Sequence, residues 1–257
     1  MGEALVRGLY KSYSIFVCET NPERAKYLKE EYNASVTNIS EVIRNAQVII
    51  LAVKPQDMQA AFSLIRADDL REDKLFISIA AGLTTEYFEK SIKNIVLLPN
   101  PRVVRAMPNM PALIGKGITG ICKGQDATDE DLKTAEEILR ALGETLRVNE
   151  DMMDAITAVS GSGPAYVFLF VEQWINAAIE LGFERPQARE LVYKTLLGSA
   201  HLLEQSSFDV DELRVKVTSK GGTTQAAMDV FFEDNKFAKL MKDALLAAKK
   251  RSKELAK

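Results

Sequence analysis

The chain has 257 residues, enough for one large domain or two ordinary ones. Its 47% apolar and 27% charged content is that of a folded chain with a sizeable core, and a formal charge of -3 gives no reason to expect a nucleic-acid partner. The single histidine and two cysteines are too few for a disulfide framework or a zinc site, and no apolar run reaches the ~18 residues that span a bilayer.

In chain order, Met1–Leu9 reads as a helix starting at Gly2, and Ile15–Cys18 as a strand. Asn21-Pro22 then opens a helix running through Tyr32, with proline in its tolerated first turn. Gln47–Val53 is nearly continuously apolar, the mark of a strand covered on both faces. Leu75–Ala80 and Ile95–Leu98 repeat the pattern, with helices over Gln56–Ile65 and Thr84–Lys90 between them. Ile118–Cys122 and Thr145–Val148 are read as further strands, separated by a helix capped by Thr128 or Asp129. Alternating strands and helices predict a doubly wound α/β sheet over 1–150.

From Asp151 onward the pattern is all-helical, giving a second domain over 151–257. Met152–Leu181 is apolar around most of its circumference and is broken at Ser160-Gly161-Ser162-Gly163-Pro164. A helix that apolar is central to its domain or shared with another subunit, so the second domain is expected to dimerise. Helices over Pro186–Gln205, Asp209–Val217 and Thr223–Ala256 complete it. Cys18 and Cys122 both lie in runs read as buried strands, where a free thiol suits a reducing cytoplasm. His201 sits mid-helix and reads as structural, and the basic cluster of Lys249–Arg251, Lys253 and Lys257 reads as a solvated helix end.

Several features point to chemistry. A dinucleotide-binding sheet begins with a strand, a Gly-x-Gly-x-x-Gly turn and a helix whose N-terminus faces the pyrophosphate. Gly2 fits the third glycine of that fingerprint; the strand and first two glycines do not occur in the sequence. Glu19-Thr20-Asn21 ends the next strand, where an acid binds ribose hydroxyls and a nearby Arg accepts a 2′-phosphate. Glu19 leans towards NAD(H), Thr20, Asn21 and Arg24 leave NADP(H) open, and Glu19 reads equally as a solvated strand end. Ala52-Val53-Lys54-Pro55 and Ala81-Gly82 follow apolar strands at the edge where ligands of open sheets bind. The prolines of Arg105–Ala112 fix an extended loop in which Pro108 and Asn109 position a ligand or pin the loop. The small-residue turns Ser160–Pro164 and Thr218–Thr224 precede helices, and exposed amides at a helix N-terminus form an anion site.

Together, Ala52–Gln56, Arg105–Ala112, Ala158–Tyr166 and Val217–Thr224 resemble pyrroline-5-carboxylate reductase over nearly the whole chain. The resemblance implies reduction of a cyclic imine carboxylate to L-proline by NADPH, with NADH as the alternative donor. It also implies a homodimer of interleaved helical domains, assembled further into a decameric ring. Residue by residue, it places the substrate carboxylate on Ser219, Gly221, Gly222, Thr223 and Thr224, with the Thr224 hydroxyl on the ring nitrogen as the catalytic contact. Ala52, Lys54 and Pro55 line the cofactor, and Pro108 and Asn109 lie near its nicotinamide. Two departures stand out: Lys220 occupies a position usually held by proline, and Thr20 one often held by a basic residue. A reductase of a different imine or hydroxy acid, and a non-catalytic dimeric binding protein, are the competing readings. The absence of a histidine base in these small-residue loops disfavours alcohol oxidation.

Overall fold

A computed structural model of the chain describes residues 1–70, 74–96 and 100–255. They gather into two compact units, Met1–Pro164 with Ala247–Lys257, and Ala165–Leu246.

The first unit holds seven strands in two sheets. Helix α1 (Gly2–Leu9) leads to β1 (Phe16–Val17), α2 (Pro22–Tyr32), β2 (Ser35–Val36) and α3 (Ile39–Asn45). The chain then alternates β3 (Val48–Leu51), α4 (Met58–Ser63), β4 (Leu75–Ser78), α5 (Thr85–Val96) and β5 (Arg102–Met107). β6 (Gly117–Lys123), α6 (Asp129–Leu139) and β7 (Gly143–Arg147) complete the α/β part. β1 and β2 pair in parallel as a sheet of their own, while β3-β4-β5-β6-β7 form the larger sheet in that order. β3, β4 and β5 run parallel, and β6 turns antiparallel to β5. In the doubly wound order 3-2-1-4-5-6 the small sheet corresponds to strands 3 and 2, and the larger begins at strand 4.

Both faces of the large sheet are covered, as parallel strands require. Leu75 and Ile77 of β4 and Val104 and Ala106 of β5 pack with Ala4, Leu5 and Leu9 of α1 and with α6. The alternate residues Phe76 and Val103 point the other way, into Ile43, Phe62, Phe88 and Ile92. Caps follow from the sequence: Asn21 Oδ1 accepts from Arg24 N at 3.1 Å above α2, and Thr128 with Asp131 forms a reciprocal box on α6.

Within this unit, the structure departs from the sequence expectations at β5 and at Cys18. Ile95 and Val96 belong to the end of α5 rather than to a strand; Leu97 and Leu98 lie outside the described residues. The fourth strand of the apolar series is instead Arg102–Met107, so the predicted loop over Arg105–Ala112 starts only at Pro108. Cys18 is exposed, whereas Cys122 is buried as expected.

Past β7, among the described residues, the chain is helical. α7 (Met153–Ile156) passes into a π-helical turn, Thr157–Gly161, in which Ser162 N donates to Thr157 O at 2.8 Å. α8 (Gly163–Glu180), α9 (Arg185–Gln205), α10 (Val210–Lys216), α11 (Thr223–Phe232) and α12 (Lys236–Leu255) follow. The expected single helix over Thr223–Ala256 is broken between α11 and α12, where Asp234 adopts φ 51°. Within the second unit, Val171 and Ile175 of α8 meet Ala188 and Val192 of α9 in a small core. Phe168, Leu169, Phe170 and Trp174 of the same helix remain exposed. The helical stretch Glu150–Glu180 has the length and apolar composition of a membrane span, with only 11% of its most apolar window buried within the chain. A contiguous apolar surface of this kind marks an interaction face.

Candidate active site

Because β3, β4 and β5 run parallel, the segments that follow them meet at one edge of the sheet. Ala52–Pro55, Ala80–Gly82 and Pro108–Asn109 therefore share the edge at which open α/β sheets bind ligands. Gly2 comes close to the first of these: a Cβ placed on it would lie 3.5 Å from that of Ala52. The N-terminus of α1, with its unpaired amides, thus sits beside the end of β3, as a pyrophosphate-binding helix does. Ala52 and Lys54 are exposed, and Val53 and Pro55 half-buried.

At the end of β1, the Glu19 carboxylate accepts from Asn21 N at 2.9 Å, and Asn21 in turn caps α2. Thr20 is exposed beside them. Arg24, the cation nearest this turn in sequence, is paired with Glu3 of α1. Asn109 is buried and its Oδ1 accepts from Ile118 N at 3.1 Å, so it pins the loop after β5 to β6. Gly82 adopts φ +82° and lies under Leu255 of α12, where a Cβ on the glycine would come within 3.2 Å of the Leu255 Cβ. Ala81 beside it is half-buried.

The π turn packs over the same edge. A Cβ at Gly120 of β6 would meet Ile156 Cγ2 at 2.5 Å, and one at Gly161 would meet Met107 Cε at 2.8 Å. Met107 and Gly120 are partners across β5 and β6, so the turn is seated on one cross-strand pair. Ser160 Oγ donates to Ile156 O at 3.0 Å, which returns that hydroxyl to the backbone rather than to an open site. An ion pair joins the buried Arg105, through Nη1, to Oε1 of the half-buried Glu150. Glu150 Oε2 accepts from Cys122 Sγ at 3.3 Å and from Thr85 N at 3.3 Å. Burial, followed by the Glu150 charge, pushes the Cys122 thiol far above its ordinary range, so it stays protonated.

In the second unit, Ser219-Lys220-Gly221-Gly222 is a tight turn closed by Gly222 N donating to Ser219 O at 3.0 Å. Gly221 adopts φ +70°, a left-handed conformation open to glycine. Gly222 caps α11 with no side chain of its own. The amides of Thr223, Thr224 and Gln225 at this helix start precede the first intrahelical bond, Ala226 N to Gly222 O. Thr224 is half-buried, Ser219 and Thr223 exposed. Thr218 differs from these: its hydroxyl donates to Arg214 O at 2.7 Å and belongs to α10.

Residues 150–255 match the family model for pyrroline-5-carboxylate reductase dimerisation, and residues 1–82 that for coenzyme F420-dependent NADP oxidoreductase. Pyrroline-5-carboxylate reductase of Haemophilus influenzae is 38% identical over 262 residues, covering 99% of this chain and 94% of its own. That of Mycobacterium tuberculosis is 36% identical, covering 99% and 93%. The chain belongs to the pyrroline-5-carboxylate reductase family.

Solved structures of the family agree. That of the Coxiella burnetii reductase superposes with a TM-score of 0.89 at 35% identity over 100% of this chain and 95% of its own. The Plasmodium falciparum enzyme, solved with NADP bound, gives 0.84 at 29% identity, with the same coverages. The chain is an oxidoreductase of the NAD(P)H-dependent kind, and its helical part is a dimerisation domain. The exposed Phe168, Leu169, Phe170 and Trp174 lie within that dimerisation match, which accounts for their apolar surface. Family membership was legible in the short motifs. The supporting residues Arg105, Gly120, Glu150, Asp154 and Ser252 were not, since their partners are distant in sequence.

Proposed function

We propose that the chain reduces L-1-pyrroline-5-carboxylate to L-proline, with NADPH as the preferred donor and NADH as the alternative. The carrying observation is the turn Ser219–Gly222 feeding α11: the amides of Thr223, Thr224 and Gln225 precede the first intrahelical bond, on a helix start that itself carries two threonine hydroxyls. Such an array suits a carboxylate, since it supplies donors and the positive end of a helix dipole with no side-chain cation at its cap. The nicotinamide cofactor, when bound, supplies the hydride that adds to the imine carbon.

Ser219 and the amides of Gly221, Thr223 and Thr224 hold the substrate carboxylate, while Gly222, whose own amide closes the turn on Ser219 O, lets the ligand approach the backbone. Thr224 donates a hydrogen bond to the ring nitrogen and passes it a proton, replaced from solvent, as hydride adds to the carbon. An imine is protonated far more readily than a ketone, so placement matters more than a strong general acid. A site of amides and hydroxyls, with His201 exposed on α9, fits that demand. Gly2, Glu19, Thr20, Asn21, Ala52, Val53, Lys54, Pro55, Ala81, Gly82, Pro108 and Asn109 form the cofactor side. The close approach of Gly2 to Ala52 and the exposed turn at Lys54 support a dinucleotide there.

Cofactor binding is assigned to 1–150, and substrate binding with dimerisation to 151–257. Dimers assemble further into a decameric ring in the cytoplasm on this reading, and the two free cysteines accord with a reducing compartment. Light scattering tests the ring: a decamer mass supports it, a dimer mass removes it. The cofactor preference is tested by comparing kcat/KM for NADPH and NADH with pyrroline-5-carboxylate saturating. A higher value for NADH contradicts the preference.

A further inference from the structure

The last turn of α12 returns to the first unit and touches two parts of the strand edge described above. Of the described residues of α12, Ser252 is the buried one, 3% exposed in a helix whose other residues are exposed or half-buried. Its Oγ donates to Asp154 Oδ1 at 2.6 Å. Asp154 lies on α7, immediately before the π turn seated on Met107 and Gly120. One turn further, Leu255 rests against Gly82, whose positive φ keeps the loop after β4 flat beneath it. One helix end therefore ties the segment carrying the π turn to the Ala81–Gly82 loop.

We propose that Ser252 and Leu255 form a clamp that positions the Ala81–Gly82 loop for the nicotinamide half of the cofactor, with Asp154 as its anchor. The proposal rests on the reading of that loop as part of the cofactor site. Ser252 and Leu255 are positioning residues: they act through Gly82 and Asp154. α12 carries charge on both sides of Ser252, at Arg251 and Lys253, and buries little else, so its docking depends on this hydrogen bond and the Leu255 contact. A hydrogen bond to a charged group is worth roughly 10- to 100-fold in an equilibrium, and only part of that reaches the cofactor because the clamp acts through Gly82.

The test is a fluorescence titration of NADPH on the full chain, paired with KM for each substrate and the thermal midpoint. Ser252→Ala and Leu255→Ala should each weaken NADPH binding roughly threefold to tenfold while KM for pyrroline-5-carboxylate holds. Asp154→Asn keeps an acceptor for Ser252 and should retain affinity, whereas Asp154→Ala should lose it. Lys253→Ala, on the same turn and without these contacts, should match the parent chain. Leu255→Ala, at a half-exposed position, serves if Ser252→Ala fails to fold. Unchanged NADPH affinity in both variants overturns the clamp. So does an equal rise in both KM values that tracks a fall in the thermal midpoint. Failure of the parent chain to bind NADPH removes the cofactor reading itself, and the clamp with it.

Discussion

Arg105 of β5 donates through Nη1 to Oε1 of Glu150, joining the middle of the sheet to the segment that leads into the π turn. The Arg105 side chain is 2% exposed and Glu150 33%, so the guanidinium is the buried member. Its Nε and Nη2 have no hydrogen-bond partner among the described residues, which makes the single bond to Glu150 its main compensation. Breaking a buried pair by removing one partner leaves the other charge in place and costs about 3–5 kcal/mol. Arg105→Ala should fall near the lower limit, because Glu150 can still reach water. Urea denaturation gives the value, and a loss below about 1 kcal/mol would mean that the pair does not hold β5.

Gly120 lies directly beneath Ile156, and the contact leaves no room for a methyl group. Gly120→Ala should shift the π turn, destabilise the chain by about 1–3 kcal/mol and lower turnover. Ile156→Ala added to it should recover part of both losses, since it removes the atoms that the new methyl meets. A purely additive double mutant would show that the two residues are not coupled.

These contacts explain what could be read in advance and what could not. Asn21-Pro22 and Thr128 announced their helices because caps are local chemistry. β5 was hidden by its arginines: Arg102 and Arg105 look like loop charges until Asp131 and Glu150 are seen to pair with them. Ile95 resembled a strand because it begins an apolar run, yet Phe88, Ile92 and Ile95 share one face of α5. Ser252 gave no signal, since its partner Asp154 is far away along the chain. The substrate turn was legible through its glycines and hydroxyls, because a left-handed residue and a bare helix start leave marks in composition.

Acid stability should depend on Glu136, which Arg147 holds through Nε at 2.7 Å and Nη2 at 2.5 Å. The hydrogen bond from Arg147, and then its charge, keeps this carboxyl below its ordinary range despite partial burial. A carboxyl lowered in the folded state adds stability that is present above its unfolded pKa, roughly 4.3, and is lost as pH falls through the folded value. Glu136→Gln should therefore flatten the loss of thermal midpoint on acidification below about pH 5. Identical acid profiles for the variant and its parent would exclude the pair as a contributor.

Thr224→Ala should lower kcat/KM for the imine by about 10- to 100-fold, the worth of a hydrogen bond to a charged group. NADPH affinity and oligomer mass should not change. Retained kcat/KM would remove Thr224 from the reaction.

Coupling of cofactor oxidation to imine reduction can be read in a single reaction mixture. The purified protein is mixed with NADPH, pyrroline-5-carboxylate is added, and both NADPH loss and L-proline formation are followed. Oxidation that begins only on addition of the imine, with one L-proline per NADPH consumed, is the predicted result. NADPH that binds but stays reduced, or is consumed without L-proline appearing, would show that the chain does not catalyse this reduction.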